Sequence, residues 1–409
     1  MLYKNSVFIK SVANVNKHLE PIMQKFNFKF AEILFVSDEK IWNLNKNFFP
    51  QNFLNKFGEV LLLEKPIADM NFVEKISEKS KNFKLILAFG SGTISDLCKY
   101  ASFKNNLDYA IIISALSMNG YVAKNASITL NDHKKTLNAH LPKILLADMR
   151  ILKHSPIELT KAGIADVLCF LACKFDITIN DMIFGIKINK ESINIQENIV
   201  KNFIKNYEAF DLKDNKFLKI LLMMIINSGY AMTLNNSSQP ASQTEHLIAH
   251  YLAMKKPEIV NEILHGKLIA ITVIPALKAH MAIIKLMEIN QLKNNILKLA
   301  NEEFPSKKLK DKFSDKIIHE CYEEFINKIT FIKNNQELLI NFEKNNKKIF
   351  KKLYKIHQDS LVIYGIFNHF KIAFDNNEIN ISESEIQEAT YYAKYIRNRI
   401  TALDLLYFS

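Results

Sequence analysis

The chain has 409 residues, 48% of them hydrophobic and 23% charged, with a formal net charge of +12. These values exclude a disordered, collagen-like or disulfide-scaffold protein and set two domains as the expectation. Only Arg150, Arg397 and Arg399 are arginine among 54 basic residues. A nucleic-acid binder invests in arginine for bidentate contacts, so the lysines read as solvated faces with a general attraction for anionic ligands.

Met1 to Val12 carries Lys4 and Lys10 and lacks a signal-peptide core, and no stretch reaches 18 uninterrupted apolar residues. A cytoplasmic chain without a membrane span is the expectation. Four short apolar runs follow: Ala31–Ser37 ending at Asp38, Lys84–Phe89 ending at Gly90, Tyr109–Ile113, and Lys143–Ala147. Such runs, bounded by polar or glycine signals and separated by helical stretches, predict buried parallel strands in βαβ units. After Pro156 and Glu158, helical periodicity dominates, most clearly over Phe217–Ile226, Leu264–Ile289 and Ala389–Leu406. The expected division is therefore 1–155, α/β, and 156–409, all-helical. The Lys-, Asn- and Glu-rich stretch Gln291–Lys352 reads as a solvated helical surface.

Glycine is scarce: nine residues in all, where average usage is about 7%. Two of them open Gly90-Ser91-Gly92-Thr93-Ile94-Ser95-Asp96 between a strand and a helix, Leu97–Lys104. Glycines there let a ligand approach the backbone, and a helix N-terminus offers free N–H groups to a phosphate. Asp38, at a strand end, is placed either to accept from a ribose hydroxyl or to cap a helix.

In the second half, His246 and His250 share a helical face at i and i+4, with Glu245 before them and His265 at the next helix start. Asp166 interrupts an apolar helix, where a lone buried carboxylate is costly unless paired or ligated. Two histidines and a carboxylate leave an open coordination position, as a catalytic divalent site requires. Of the four cysteines, Cys169 and Cys173 lie four apart and read as packing on one helical face rather than binding metal.

Taken in order, several segments resemble the glycerol-1-phosphate dehydrogenases, relatives of glycerol dehydrogenases, iron-containing alcohol dehydrogenases and dehydroquinate synthases. They are Gly90–Asp96, Ser114–Tyr121, His133–Thr136, Leu141–Lys143, Ala147–Asp148, Ala162–Asp166, Pro240–His246, His250 and Leu264–Gly266. The ending Tyr395–Thr401 is similar to bacterial members. The resemblance implies an N-terminal Rossmann-like domain and a helical C-terminal domain of the dehydroquinate synthase-like type, with the site in the cleft between them. NAD or NADP would lie over Gly90, Ser91, Gly92, Thr93, Ile94 and Asp96. Ser114, Ala115, Leu116 and Ser117 would sit near its nicotinamide half, Ala123 at a position that contacts the cofactor, and Asp38 near the adenine ribose. Asp166, His246 and His265 would hold one divalent metal, zinc first, with nickel or iron as alternatives. Asn119, Asp166 and His250 would face the substrate, with His250 and Asp166 catalytic. The implied reaction is hydride transfer between dihydroxyacetone phosphate and sn-glycerol 1-phosphate, a small anionic polyol phosphate; a homodimer is compatible with it.

Against that pattern, Asn119 stands where the family usually has Asp, Ala123 for Ser, Ala165 for Gly and Phe170 for Lys. Gln239 replaces Arg, Gln243 replaces Gly and Lys267 replaces Glu. These departures leave two other readings in view: a sugar-phosphate cyclase of the dehydroquinate synthase type, and a non-catalytic relative that binds nucleotide.

Overall fold

The computed structural model describes residues 2–3, 7–130, 133–260, 263–335, 337–373 and 380–407. It divides into two compact units: Met1–Ile164 with Lys201–Ser237, and Ala165–Val200 with Ser238–Ser409. The sequence suggests one cut near residue 155; the structure instead runs its first boundary through helix Ile157–Leu168 and returns Lys201–Ser237 to the first unit.

The strands are β1 (Leu2–Tyr3), β2 (Val7–Val12), β3 (Ile33–Asp38), β4 (Glu59–Leu63), β5 (Leu85–Gly90), β6 (Asp108–Ile113), β7 (Asn125–Leu130), β8 (His133–Asn138) and β9 (Ile144–Asp148). Seven form a sheet in the order β1-β2-β9-β6-β5-β3-β4, parallel apart from the β1–β2 pair. β5 and β9 are buried along their whole length, because helices cover both faces, so these strands read as uninterrupted apolar runs.

The stretch β4-β3-β5-β6-β9 is a doubly wound 2-1-3-4-5 order, whose switch point falls between β3 and β5. There Ser37 pairs in register with Phe89, and Ser37 Oγ donates to Phe89 O at 2.8 Å. Asp38 and Gly90 end these two neighbouring strands, at the carboxyl edge where such sheets bind ligands. An aromatic cluster of Phe35, Trp42, Phe49, Phe53, Phe57 and Phe89 supports the same region, with edge-to-face and stacked rings such as Phe35–Phe57 at 4.9 Å. β7 and β8 form a separate antiparallel hairpin.

The second unit is helical among its described residues. Its core joins Cys169 and Phe175 of helix Phe170–Met182 and its start to Leu247 and Tyr251 of helix Thr244–Lys255. Ile269 and Ile283 of helix His265–Glu288 complete it. The helices of Gln291–Lys352 are amphipathic; Ile317, Cys321, Phe325 and Ile329 form the buried stripe of Asp315–Asn334. Helices Asn215–Leu234 and His265–Glu288 are long and apolar enough to cross a bilayer, yet 78% and 72% of their apolar windows are buried in the protein, as in core helices.

The expected helix over Ala389–Leu406 is corrected. Helix Glu383–Tyr392 ends in a 3-10 turn, Ala393–Tyr395, and a second 3-10 turn covers Ala402–Leu405. The interruption has local causes. Arg399 reaches out to Ser242 O, Ser242 Oγ and Ser238 Oγ, while Thr401 and Asp404 form a capping box that starts a new turn.

Candidate active site

In the first unit, the turn after β5 is built by its glycines. A Cβ on Gly90 would lie 2.5 Å from Ile94 Cβ, so glycine alone lets helix Gly92–Lys104 start directly from the strand. The helix therefore begins at Gly92, five residues earlier than its apolar pattern suggests. Ser91, Gly92 and Thr93 are half-buried, and the first N–H groups of a 13-residue helix lie here, suited to an anion. Met118 packs beside both nearby glycines: a Cβ on Gly92 would sit 3.1 Å from Met118 Cγ, and one on Gly120 3.0 Å from Met118 Sδ.

Ile94 and Asp96 are also engaged within the first unit. Ile94 is a core residue. Asp96 Oδ2 accepts from Ser127 N at 3.1 Å, tying β7 to the helix. Burial raises the Asp96 carboxyl above its ordinary range, opposed by the Lys99 ammonium. Lys99 is fully buried and donates to Gly120 O at 2.7 Å and Asn125 O at 3.0 Å, fixing the loop that carries Asn119.

Ser114 N donates to Gly90 O at 2.9 Å, and Tyr121 Oη donates to Ala115 O at 2.8 Å. Ser114, Ala115, Leu116, Ser117 and Asn119 are buried, and Ala123 fully so. Two helices close onto this segment through glycine: a Cβ on Gly163 would lie 1.9 Å from Leu116 O, and one on Gly229 2.6 Å from Asn119 O. Asp38 caps helix Glu39–Asn45, accepting from Lys40 N at 2.7 Å and Ile41 N at 3.2 Å.

In the second unit, Asp166 comes from helix Ile157–Leu168, His246 from helix Thr244–Lys255 and His265 from the first residue of His265–Glu288. Asp166 Oδ1 lies 3.6 Å from His246 Nε2 and 3.7 Å from His265 Nε2. These separations exceed a hydrogen bond but match ligands about 2.0–2.2 Å from a shared cation. Asp166 is 1% exposed, so its charge is removed from water, while His265 keeps the cluster open to solvent. Burial works against charge on His246, yet Cys169, Asp166 and Glu245 raise its pKa well above that of an ordinary imidazole. The donor set thus fits a divalent ion. His250 is half-buried, its ring centre 6.2 Å from that of His246 and 6.4 Å from that of His265.

Residues to which the sequence reading gave no part in the site lie behind His246. Glu245 Oε1 is 2.7 Å from His246 Nδ1 and accepts from Gln243 N at 2.9 Å and Cys173 Sγ at 3.1 Å. Burial pushes the Glu245 carboxyl up, but the His246 hydrogen bond and charge, with Gln243 N and Cys173, bring it down to about 2. Cys169 Sγ donates to Asp166 O at 3.0 Å and lies 4.0 Å from His246 Nδ1. The sequence signal was present: a carboxylate directly before the first histidine, and two thiols three and seven residues after Asp166.

Residues 10–156 match the family of iron-containing alcohol dehydrogenases. A glycerol-1-phosphate dehydrogenase [NAD(P)+] of Thermococcus sibiricus is 30% identical over 216 residues, covering 52% of this chain and 61% of that protein. One of Saccharolobus islandicus strain M.14.25 is 30% identical over 274 residues, covering 66% of this chain and 72% of that protein. The chain belongs to the glycerol-1-phosphate dehydrogenase family. This is a family of NAD(P)-dependent oxidoreductases. A probable glycerol dehydrogenase from Sinorhizobium meliloti 1021 has the same fold, with a TM-score of 0.61 at 11% identity over 98% of this chain and 94% of that one.

Proposed function

We propose that this family member is a metal-dependent oxidoreductase that transfers a hydride between NAD(P) and a small polyol phosphate. The substrate pair is dihydroxyacetone phosphate and sn-glycerol 1-phosphate. The observation that carries the reading is Asp166 Oδ1 at 3.6 and 3.7 Å from two imidazole nitrogens, in a chain of this family. A cation held there would act as a Lewis acid on the substrate oxygen, and the nicotinamide would supply or accept the hydride.

The protein's own part is binding, orientation and proton handling. Gly90, Ser91, Gly92 and Thr93 would take the cofactor phosphates on the helix N-terminus. Ser114 to Ser117 would flank its nicotinamide half, and their buried, glycine-clamped backbone fixes them in place. His250, one turn beyond His246, would relay the proton that accompanies hydride transfer. Asn119 would bind substrate hydroxyls without the carboxylate common in the family, which removes a charge-assisted hydrogen bond worth about 1.5–3 kcal/mol.

The test is loss of NADH absorbance with dihydroxyacetone phosphate, on the metal-loaded protein and on His265→Ala. Turnover that needs His265 supports the reading. Metal and NADH binding without turnover of any small ketone or polyol phosphate overturns it. Phosphate release without net NADH change would select the cyclase chemistry instead.

A further inference from the structure

We propose that Cys169, Cys173, Glu245 and His246 Nδ1 form a second cation site, selective for a soft d10 ion of the zinc and cadmium class. It lies on the opposite side of His246 from Asp166. This goes beyond the proposed oxidoreductase site, with which it shares only the His246 ring.

Four observations meet at this place. Cys169 Sγ, a carboxylate oxygen of Glu245 and a ring nitrogen of His246 all lie within 4.8 Å of one another. Cys173 Sγ is 3.1 Å from Glu245 Oε1 and faces the Cys169 thiol one helical turn away. All four residues are buried. Finally, Glu245 Oε2 is buried and has no hydrogen-bond partner among the described residues. A buried carboxylate oxygen left without a donor is expensive, and an ion is one of the few things that removes the cost.

The geometry suits the ion. Zinc–sulfur and zinc–imidazole bonds of about 2.3 and 2.0 Å set tetrahedral ligand atoms about 3.5 Å apart. The 4.0 Å between Cys169 Sγ and His246 Nδ1 needs to close by only about 0.5 Å, a side-chain adjustment, for the two to share an ion. Two sulfurs select soft ions over magnesium or calcium. Four protein donors leave no open position, which marks a closed site rather than a catalytic one. Binding releases the two thiol protons to solvent, so the ligand set carries three negative charges. Arg399, whose guanidinium interacts electrostatically with Cys173 and Glu245, offsets part of that charge. Occupancy also commits His246 Nδ1, so it competes with the hydrogen bond that Nδ1–H donates to Glu245 Oε1 and that orients the ring toward Asp166.

Cadmium is the probe. The full chain is stripped with a chelator and titrated while thiolate-to-metal absorbance is followed in the ultraviolet. X-ray absorption at the cadmium edge then reports sulfur neighbours. The expected result is a sulfur-ligated cadmium in the wild type and in His265→Ala, and none in Cys169→Ser/Cys173→Ser. Cadmium with only nitrogen and oxygen neighbours in the wild type overturns the proposal, whether or not the double variant folds. So does a thiolate signal that survives in the double variant, since Cys98 and Cys321 would then be its source. Failure of the dehydrogenase reading would show as absent turnover and leave this sulfur signature unchanged.

Discussion

Glu245 Oε1 sits 2.7 Å from His246 Nδ1, while Nε2 of the same ring faces Asp166 Oδ1 at 3.6 Å. One imidazole is thus held from behind by a carboxylate and presented forward to a second one. Such a carboxylate fixes the ring's tautomer and raises the basicity of the forward nitrogen.

Glu245→Gln should therefore weaken zinc binding at the Asp166 cluster by roughly 10–100-fold, with the fold retained. Calorimetric titration of the chelator-stripped protein in a Cys169→Ser/Cys173→Ser background, which leaves the Asp166 cluster as the zinc site under test, measures this, and Glu245→Asp should recover part of the affinity. Equal affinity in wild type and Glu245→Gln would remove any orienting role for this carboxylate.

Gly163 tests the packing of the Ser114–Ala123 segment. A Cβ there would lie 1.9 Å from Leu116 O, a backbone atom that has no rotamer to escape into. Gly163→Ala should cost about 1–3 kcal/mol, the range for overpacking, and lower the melting temperature. An unchanged melting curve would mean that helix Ile157–Leu168 does not press on Leu116.

Lys328 and Asp404 form a buried ion pair at 2.6 Å, with Lys328 0% exposed. Lys328 Nζ also donates to Lys394 O, so it binds the C-terminal turns to helix Asp315–Asn334. Lys328→Met alone should destabilise by roughly 3–5 kcal/mol, because it strands a buried carboxylate. The double variant Lys328→Met/Asp404→Leu should be markedly more stable than the single one in denaturant titration. A single variant as stable as wild type would contradict the pairing.

The pH dependence has a defined direction at Glu385. Its hydrogen bonds from the Lys256 ammonium and from the Ser382 N–H and hydroxyl hold the carboxyl down to about 2, against an ordinary 4.5. A carboxylate with a depressed folded-state pKa stabilises the fold fully above its unfolded value. That contribution fades as pH falls toward the folded one. The difference in melting temperature between wild type and Glu385→Gln should hence be constant above about pH 5 and shrink toward zero near about pH 2. A difference that grows on acidification would reverse the assignment.

The parts of this fold that the sequence revealed are those where one physical demand dominates. β5 and β9 are buried on both faces, so hydrophobicity alone marks them. β2 and β4 alternate buried and half-exposed residues, and β8 carries His133, Lys134 and Lys135; their pairing depends on neighbours that no local pattern shows. The glycine turn was legible because Gly90 meets a hard steric limit at Ile94. Asp166, His246 and His265 were legible because a charged group in an apolar helix and histidines at helical spacing both need explaining. Glu245, Cys169 and Cys173 were not, since a thiol on an apolar helical face looks like ordinary core until the structure sets it beside an acid and an imidazole. Asp38 and Asp96 carry a second role that the sequence left open: Asp38 Oδ1 and Asp96 Oδ2 accept from backbone N–H groups of the first unit.

The helical unit is assembled from two separate stretches, with Lys201–Ser237 belonging to the other unit in between. Asp166 precedes that excursion, and His246 and His265 follow it. An ion gripping all three would act as a reversible crosslink, closing a long loop of chain much as a disulfide does and penalising the unfolded ensemble. Cation removal would then loosen the protein as a whole.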